Sequence, residues 1–351
     1  MSRFFSSRYE QLTPYTPGEQ PQDMAYTKLN TNESPFPPSE KALAYAAEHT
    51  KALNLYSDPA CRILTAKLAE VYGVTENMVL VTNGSDEALN FAFMSFCDEA
   101  HPALFPDVTY GFYPVYADLN HVPYEEIPLT EDFSIDLEEY KRRKGTVFLA
   151  NPNAPTGKAL PAAAIEELVA ADPDRVVVVD EAYVDFGAES CMPLVKKYDN
   201  VLVIQTYSKS RSLAGARLGY AIGCPALIAD MNTIKFSTNP YNINSYSMAI
   251  GMGSLLDDGY NKANCRVIAE NRTYTVGKLK ELGFEVVDSK ANFVFAKHPS
   301  ISGQEIYEKL KANGVLVRHF TKERIKEYNR ITIGTKEQMD VLFGTFRKIW
   351  G

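Results

Sequence analysis

The sequence predicts an α/β protein: a large domain built on a mostly parallel central sheet flanked by helices, with a smaller α+β domain beside it. Three observations lead there. The chain has 351 residues, more than one hydrophobic core comfortably fills. Its apolar runs are short and unbroken, as from Val176 to Val179, which suits strands buried on both faces. Helical patterns separate those runs, and that alternation produces parallel strands joined by crossover helices.

Taken in order, residues 1 to about 40 are rich in Pro, Asn, Ser and Tyr. Segments such as LTPYTPG and NESPFPPSE cannot hold a helix or a central strand, because Pro removes a donor and fixes φ. Residues 1–30 are assigned to an extended N-terminal arm. Glu40 to His49 and Arg62 to Tyr72 read as helices. Met78 to Thr82 is a strand closed by Asn83-Gly84, and a helix follows it through ALNFAFMSF. ALFP is the next strand, followed by a helix from Thr109 to Asn120. Then come the strand Thr146 to Ala150, a helix from Ala162 to Ala170, the strand RVVVVD and the strand Val201 to Gln205. A long helical region begins at Met248, after which GFEVVDS, ANFVFA, GVLVR and RITIG give shorter strands. Residues 51–247 are expected to form the large domain, and residues 31–50 with 248–351 a discontinuous small one.

Lys plus Arg number 36 against 44 Asp plus Glu, a net charge of −8. A general nucleic-acid binder usually carries the opposite balance. The N-terminus lacks the apolar stretch of a secretory signal, and no run approaches the ~18 apolar residues of a membrane span. The five cysteines are odd in number and lack C-x-x-C spacing, as expected of reduced thiols in a cytoplasmic protein. The histidines form no ligand pattern, and no metal site is expected.

In an open parallel sheet, ligands bind beyond the carboxyl ends of the strands. Four such ends carry unusual residues. In TNGSDEAL, Gly84, Ser85 and Asp86 open a helix whose free N–H groups either bind an anion or are simply capped. In RVVVVDEAY, Asp180 ends an apolar strand, where a carboxylate needs a cation or hydrogen bonds; Tyr183 follows. In VIQTYSKSRSLAGARLGYA, Lys209 follows a strand among Thr206, Ser208 and Ser210, with Arg217 beyond. Burial there would lower its pKa toward nucleophile range, whereas a loop lysine facing solvent would do nothing. ANPNAPTGKAL by itself is a turn.

The set says more than its parts. An Asp, a Lys 29 residues later and an Arg 8 beyond that are what an enzyme needs to hold pyridoxal 5′-phosphate. The lysine bonds covalently to the cofactor, the aspartate keeps the pyridine nitrogen protonated, and the arginine, hydroxyls and helix start hold the phosphate. With NPNAPTG, VVVVDEAY, TYSKSRSLAGARLGY, ANFVF and RITIGT, the chain resembles the fold-type I pyridoxal-phosphate aminotransferases of class II. Within these it is similar to the histidinol-phosphate aminotransferase group, from LTPYTPG to the C-terminus.

That resemblance implies roles. Lys209 would be nucleophile and general base, Asp180 the partner of the ring nitrogen, and Tyr183 that of the ring hydroxyl. Tyr110 would stack on the pyridine, and Gly84, Ser85, Asp86, Thr206, Ser208 and Arg217 would surround the phosphate. Tyr56 would enter the site of a partner subunit, making a homodimer necessary for activity. Arg318, Arg330, Tyr15 and Asn32 would recognise substrates: glutamate or 2-oxoglutarate, and a phosphorylated imidazole compound. Two departures stand out. Where the family often has Asn before Pro, this chain has Ala154, so the ring-hydroxyl contact falls either to Asn153 or to Tyr183 and water. Arg211, two residues after the lysine, is expected to point to solvent. The same fold also serves aromatic amino-acid aminotransferases and phosphothreonine decarboxylases. A non-catalytic effector-binding module is the reading of another class, and this chain has no spare basic module to go with it.

Overall fold

The computed structural model describes residues 2–351. A two-residue strand, β1 (Thr27–Lys28), precedes helices α1 (Glu40–His49) and α2 (Arg62–Tyr72). Seven strands then build one sheet: β2 (Val79–Thr82), β3 (Ala103–Pro106), β4 (Tyr124–Ile127), β5 (Thr146–Ala150), β6 (Val177–Asp180), β7 (Val201–Thr206) and β8 (Gly219–Gly223). Helices α3 (Gly84–Phe96), α4 (Tyr113–Asn120), α5 (Leu137–Lys141) and α6 (Ala162–Ala171) lie between them. After α7 (Pro225–Thr238), α8 (Ser245–Leu256) and α9 (Asp258–Glu281) come β9 (Glu285–Val287), β10 (Phe293–Lys297) and α10 (Gly303–Ala312). The chain ends with β11 (Val315–Leu316), β12 (Arg318–His319), β13 (Tyr328–Thr332) and α11 (Lys336–Trp350).

The large sheet runs β2-β8-β7-β6-β5-β3-β4. Only β8 is antiparallel to its neighbours, so the sheet is mostly parallel as expected. Every residue of β5, β6 and β7 is buried. Alternate side chains feed two cores: Val177 and Val179 pack toward α2 and α6, and Val178 toward α3, α4 and α7. Coverage of both faces is why these strands are unbroken apolar runs. At the C-terminal end a second sheet, β12-β13-β10-β9, is antiparallel and packs on α9, α10 and α11. β1 pairs in parallel with β11 and so ties the N-terminal arm to this part of the molecule.

Several elements differ from expectation. The helix expected from Thr109 begins at Tyr113, because Pro114 suits a first turn and not a helix interior. Thr109 to Phe112 is instead a loop along the cavity described below. Strands β4 and β8 and helices α5 and α7 have no counterpart in the sequence reading. Packing groups α1 and α8 with the large sheet, since Ala42, Ala46, Ala249 and Ile250 join one of its cores. The sequence reading had placed both helices with the smaller domain. Among the described residues no helix is long and apolar enough to cross a membrane.

Candidate active site

A cavity of about 420 Å³ opens at the carboxyl edge of the large sheet, between it and the C-terminal sheet. Its walls come from six places in the chain. The arm contributes Tyr15 and residues 30–33, the start of α3 gives Ser85 and Asp86, and the end of β6 gives Asp180 and Tyr183. The turn after β7 gives Thr206, Ser208 and Lys209, the approach to β8 gives Arg217, and β12 and β13 give Arg318 and Arg330. Tyr110 completes one side.

Lys209 extends from the β7 turn, and its Nζ donates to the carbonyl of Thr31 at 3.2 Å. Burial, helped by the Arg330 charge nearby, lowers its pKa to about 8. A lysine with one neutral acceptor and a depressed pKa is poised to act as a nucleophile. Asp180, only 5% exposed, accepts from the Tyr113 hydroxyl at 3.1 Å and the Ala182 N–H at 3.1 Å. No cation pairs with it, and burial raises its pKa to about 6. A cationic ring N–H delivered into the cavity would reverse that shift.

The start of α3 forms an anion cradle. Asn83 offers no side-chain cap, so the first N–H groups of the helix remain open to ligand. Gly84 has φ +78°, and a Cβ there would stand 2.7 Å from Arg217 Nη2. Gly219 lets β8 approach equally closely, since its Cβ would meet Ser85 N at 2.4 Å. Arg217 and Tyr110 hold the two oxygens of Asp86, at 3.0 and 2.7 Å. Thr206 is fixed by the Leu218 carbonyl at 3.3 Å and accepts from the Ser208 N–H at 3.1 Å.

Tyr183 is buried, and its hydroxyl accepts from Asn32 Nδ2 at 3.0 Å. Asn32 is in turn held by Thr332, whose hydroxyl donates to Asn32 Oδ1 at 3.0 Å. Asn32 therefore sets the Tyr183 ring instead of standing free for substrate. Arg330 donates through Nη2 to the Asn30 carbonyl at 3.0 Å, while its buried Nε has no acceptor. Burial holds its pKa below the usual guanidinium value. Arg318 donates to the carbonyls of Thr16 at 3.2 Å and Pro17 at 3.3 Å. Tyr15 stacks on Phe112 with ring centroids 4.1 Å apart.

Three further positions depart from the cavity or need placing relative to it. Asn153 is turned away: its Nδ2 donates to the Val108 carbonyl and Thr156, and its Oδ1 accepts from Thr109 at 2.7 Å. Its amide is thus used up in bracing the loop, and Ala154 faces the cavity instead. Arg211 does not point to solvent. Its side chain is 11% exposed and pairs with Asp258 at 3.0 Å, tying the lysine turn to the start of α9. Tyr56 lies outside the cavity of its own chain, 84% exposed. Conversely, the roles of Thr31 and Tyr113 were not visible in sequence, since both arise from contacts between distant segments.

These residues fit a pyridine ring that carries an aldehyde and a phosphate. The open helix start and Arg217 suit the phosphate, the uncompensated Asp180 suits a protonated ring nitrogen, and Lys209 suits the aldehyde. The orphan Nε of Arg330 marks a place for an anionic ligand.

Residues 25–346 match the family model described as aminotransferase class I and II. The chain is 47% identical over 350 residues to a histidinol-phosphate aminotransferase of Clostridium beijerinckii, covering 99% of this chain and 98% of that one. It is 47% identical over 345 residues to the protein of the same name from Brachyspira hyodysenteriae, covering 97% of each. Among solved structures, it is similar to a putative histidinol-phosphate aminotransferase from Erwinia carotovora atroseptica. That pair has a TM-score of 0.86 at 27% identity, over 92% of this chain and 96% of the other.

Proposed function

The chain belongs to the class I and II aminotransferase family, and from that premise we propose the reaction it carries out. It is a pyridoxal-phosphate-dependent enzyme that converts L-histidinol phosphate and 2-oxoglutarate to imidazole acetol phosphate and L-glutamate, a step of histidine biosynthesis. The carrying observation is the meeting of Lys209, Asp180 and Arg217 in one cavity beside two further guanidiniums, Arg318 and Arg330. The full-length relatives bearing that substrate's name support the choice of substrate.

Bound pyridoxal 5′-phosphate supplies an electron sink for the carbanion formed at the substrate Cα. Asp180 would hold the ring nitrogen protonated, and that cation would restore the carboxylate to its ionised form. The start of α3 and Arg217 would hold the phosphate and so fix the ring beside Lys209. Lys209, an amine of depressed pKa, would serve as the general base that takes the proton from the substrate Cα. Tyr183 bonds the ring hydroxyl, oriented by Asn32. Arg330 takes a carboxylate or phosphate oxygen through its unpaired Nε, and Arg318 takes a second anionic group at the mouth.

A second copy of the chain completes the site. Tyr56 is exposed, stacks on the half-exposed Tyr241, and has the exposed Leu53 and Leu55 close by in the chain. Such a patch is covered in a homodimer, where Tyr56 reaches into the neighbouring cavity. The test is the absorbance spectrum of the purified holoenzyme titrated with L-histidinol phosphate and, separately, with L-phenylalanine. Conversion of the cofactor to its amine form by micromolar histidinol phosphate is expected; conversion by phenylalanine alone would overturn the substrate assignment.

A further inference from the structure

Residues 31 and 32 of the arm meet the C-terminal sheet at one side chain. Thr332, on β13 two residues beyond Arg330, is 3% exposed. Its hydroxyl oxygen accepts from the Asn32 N–H at 3.0 Å, and the hydroxyl donates to Asn32 Oδ1, also at 3.0 Å. The Asn32 carbonyl accepts from Asn292 Nδ2 at 3.0 Å. Three of the four polar groups of Asn32 are thus fixed by β13 and the residue before β10, and the fourth, Nδ2, donates to Tyr183. Asn32 is also in the left-handed region, at φ +57°, a conformation that an unheld asparagine readily leaves.

The Asn32 N–H belongs to the same peptide group as the Thr31 carbonyl. In a planar trans peptide these two point in opposite directions. Fixing the N–H on Thr332 therefore aims the carbonyl the other way, at Lys209 Nζ, which donates to it at 3.2 Å. One hydroxyl is linked to the lysine through a single peptide group and to the tyrosine through a single side chain. Thr332 does not line the cavity, so it acts only through Asn32.

We propose that Thr332 is a positioning residue for Lys209 and Tyr183 together. By holding the peptide between residues 31 and 32 it gives the lysine amine a fixed acceptor. By holding the Asn32 amide it aims the Tyr183 hydroxyl at the ring hydroxyl of the cofactor. The inference rests on the aminotransferase reading above and adds the residue that couples two of its working groups to the strand carrying Arg330.

Thr332→Val keeps the shape and removes the hydroxyl, whereas Thr332→Ser keeps the hydroxyl. Two measurements on holoenzyme read the two links. The first is a pH titration of the absorbance of the bound cofactor, without substrate. A hydroxyl donating to the ring oxygen favours the anionic form of that oxygen, so misdirecting Tyr183 should move the midpoint to higher pH by about 0.3–1 unit in Thr332→Val. The second is steady-state turnover. There kcat with L-histidinol phosphate should fall about three- to tenfold, with KM within about twofold because Arg318 and Arg330 are untouched. Thr332→Ser should match the wild type in both. In a Tyr183→Phe background, Thr332→Val should no longer move the midpoint yet should still lower kcat, since the link to Lys209 remains. An unmoved midpoint or an unchanged kcat in Thr332→Val would overturn the inference. So would equal losses in Thr332→Ser, or a midpoint that shifts as far without the Tyr183 hydroxyl. Thr332→Ala carries the same expectations if Thr332→Val does not fold. The absorbance titration needs no substrate, so it stands if histidinol phosphate proves not to be the donor. A protein that shows no absorbance from bound cofactor overturns the aminotransferase reading along with the inference.

Discussion

Replacing Gly84 by Ala perturbs the cradle at its narrowest point, and its two effects can be measured apart. The first is local strain. Gly84 sits at φ +78°, where an L-residue meets its own carbonyl and loses roughly 1–2 kcal/mol. In a chain of this length that is a melting shift of about 1–3 °C. The second effect falls on the ligand. The new methyl would stand 2.7 Å from Arg217 Nη2, and ordinary contact requires about 3.4 Å, so the guanidinium must retreat by about 0.7 Å. Charge-assisted hydrogen bonds fail over such a distance, and each is worth about 1.5–3 kcal/mol. Cofactor affinity should therefore drop about 10- to 100-fold, well beyond what the strain explains. The assay is titration of cofactor-free protein with pyridoxal 5′-phosphate, followed by absorbance, together with thermal melts of the cofactor-free form. A melting shift of the expected size with affinity within twofold of wild type would refute the placement of Arg217 at the phosphate.

Lys209→Ala should abolish borohydride-reducible attachment of the cofactor at that position and slow turnover by at least about 10²–10⁴, read by peptide mass and initial rates. Arg330→Lys keeps the charge but loses the fork and the Nε; KM for both amino donors should rise about tenfold or more in steady-state assays. Asp180 gives the cofactor-free protein a defined pH dependence. Its folded pKa of about 6 lies above the ordinary 3.8, so the folded state favours the protonated acid. That burden is absent below pH 4, grows as pH rises toward 6, and amounts to about 3 kcal/mol above it. Glu181, raised to about 7 by burial, acts with the same sign, so the comparison with Asp180→Asn is what matters. Denaturant unfolding at several pH values should show a shallower fall for the variant, and parallel curves would contradict the account.

How much of this was readable beforehand follows from where each signal is stored. β5, β6 and β7 were legible because burial on both faces forces a continuous Val/Leu/Ile run. β4, with the sequence YEEI and three exposed residues, and β8, with two glycines in five residues, lack that signal, and their pairing is decided by neighbours. Asp180 stood out because a carboxylate ending an apolar strand is costly without a partner, and Lys209 and Arg217 became legible through their spacing from it and the resemblance that the set carries. Thr31 and Tyr113 touch those residues only after chain closure, so nothing local announces them. Asn153 and Arg211 were misread for the same reason: each finds its partners in a segment tens of residues away.

The guanidiniums of Arg318 and Arg330 are not bare. Their N–H groups rest on carbonyls of the arm, at Thr16, Pro17 and Asn30. These neutral oxygens keep two cations oriented toward the cavity. An uncharged molecule offers the forks nothing better than the carbonyls they already hold, so it gains little by entering. An anion offers a stronger bond to the same N–H groups and frees the arm's carbonyls as it takes their place. In the proposed reaction such an exchange would make net charge the first property tested at the mouth, before the shape of the imidazole is compared at all. It also means that arrival of substrate is felt as a change in what the first thirty residues are attached to.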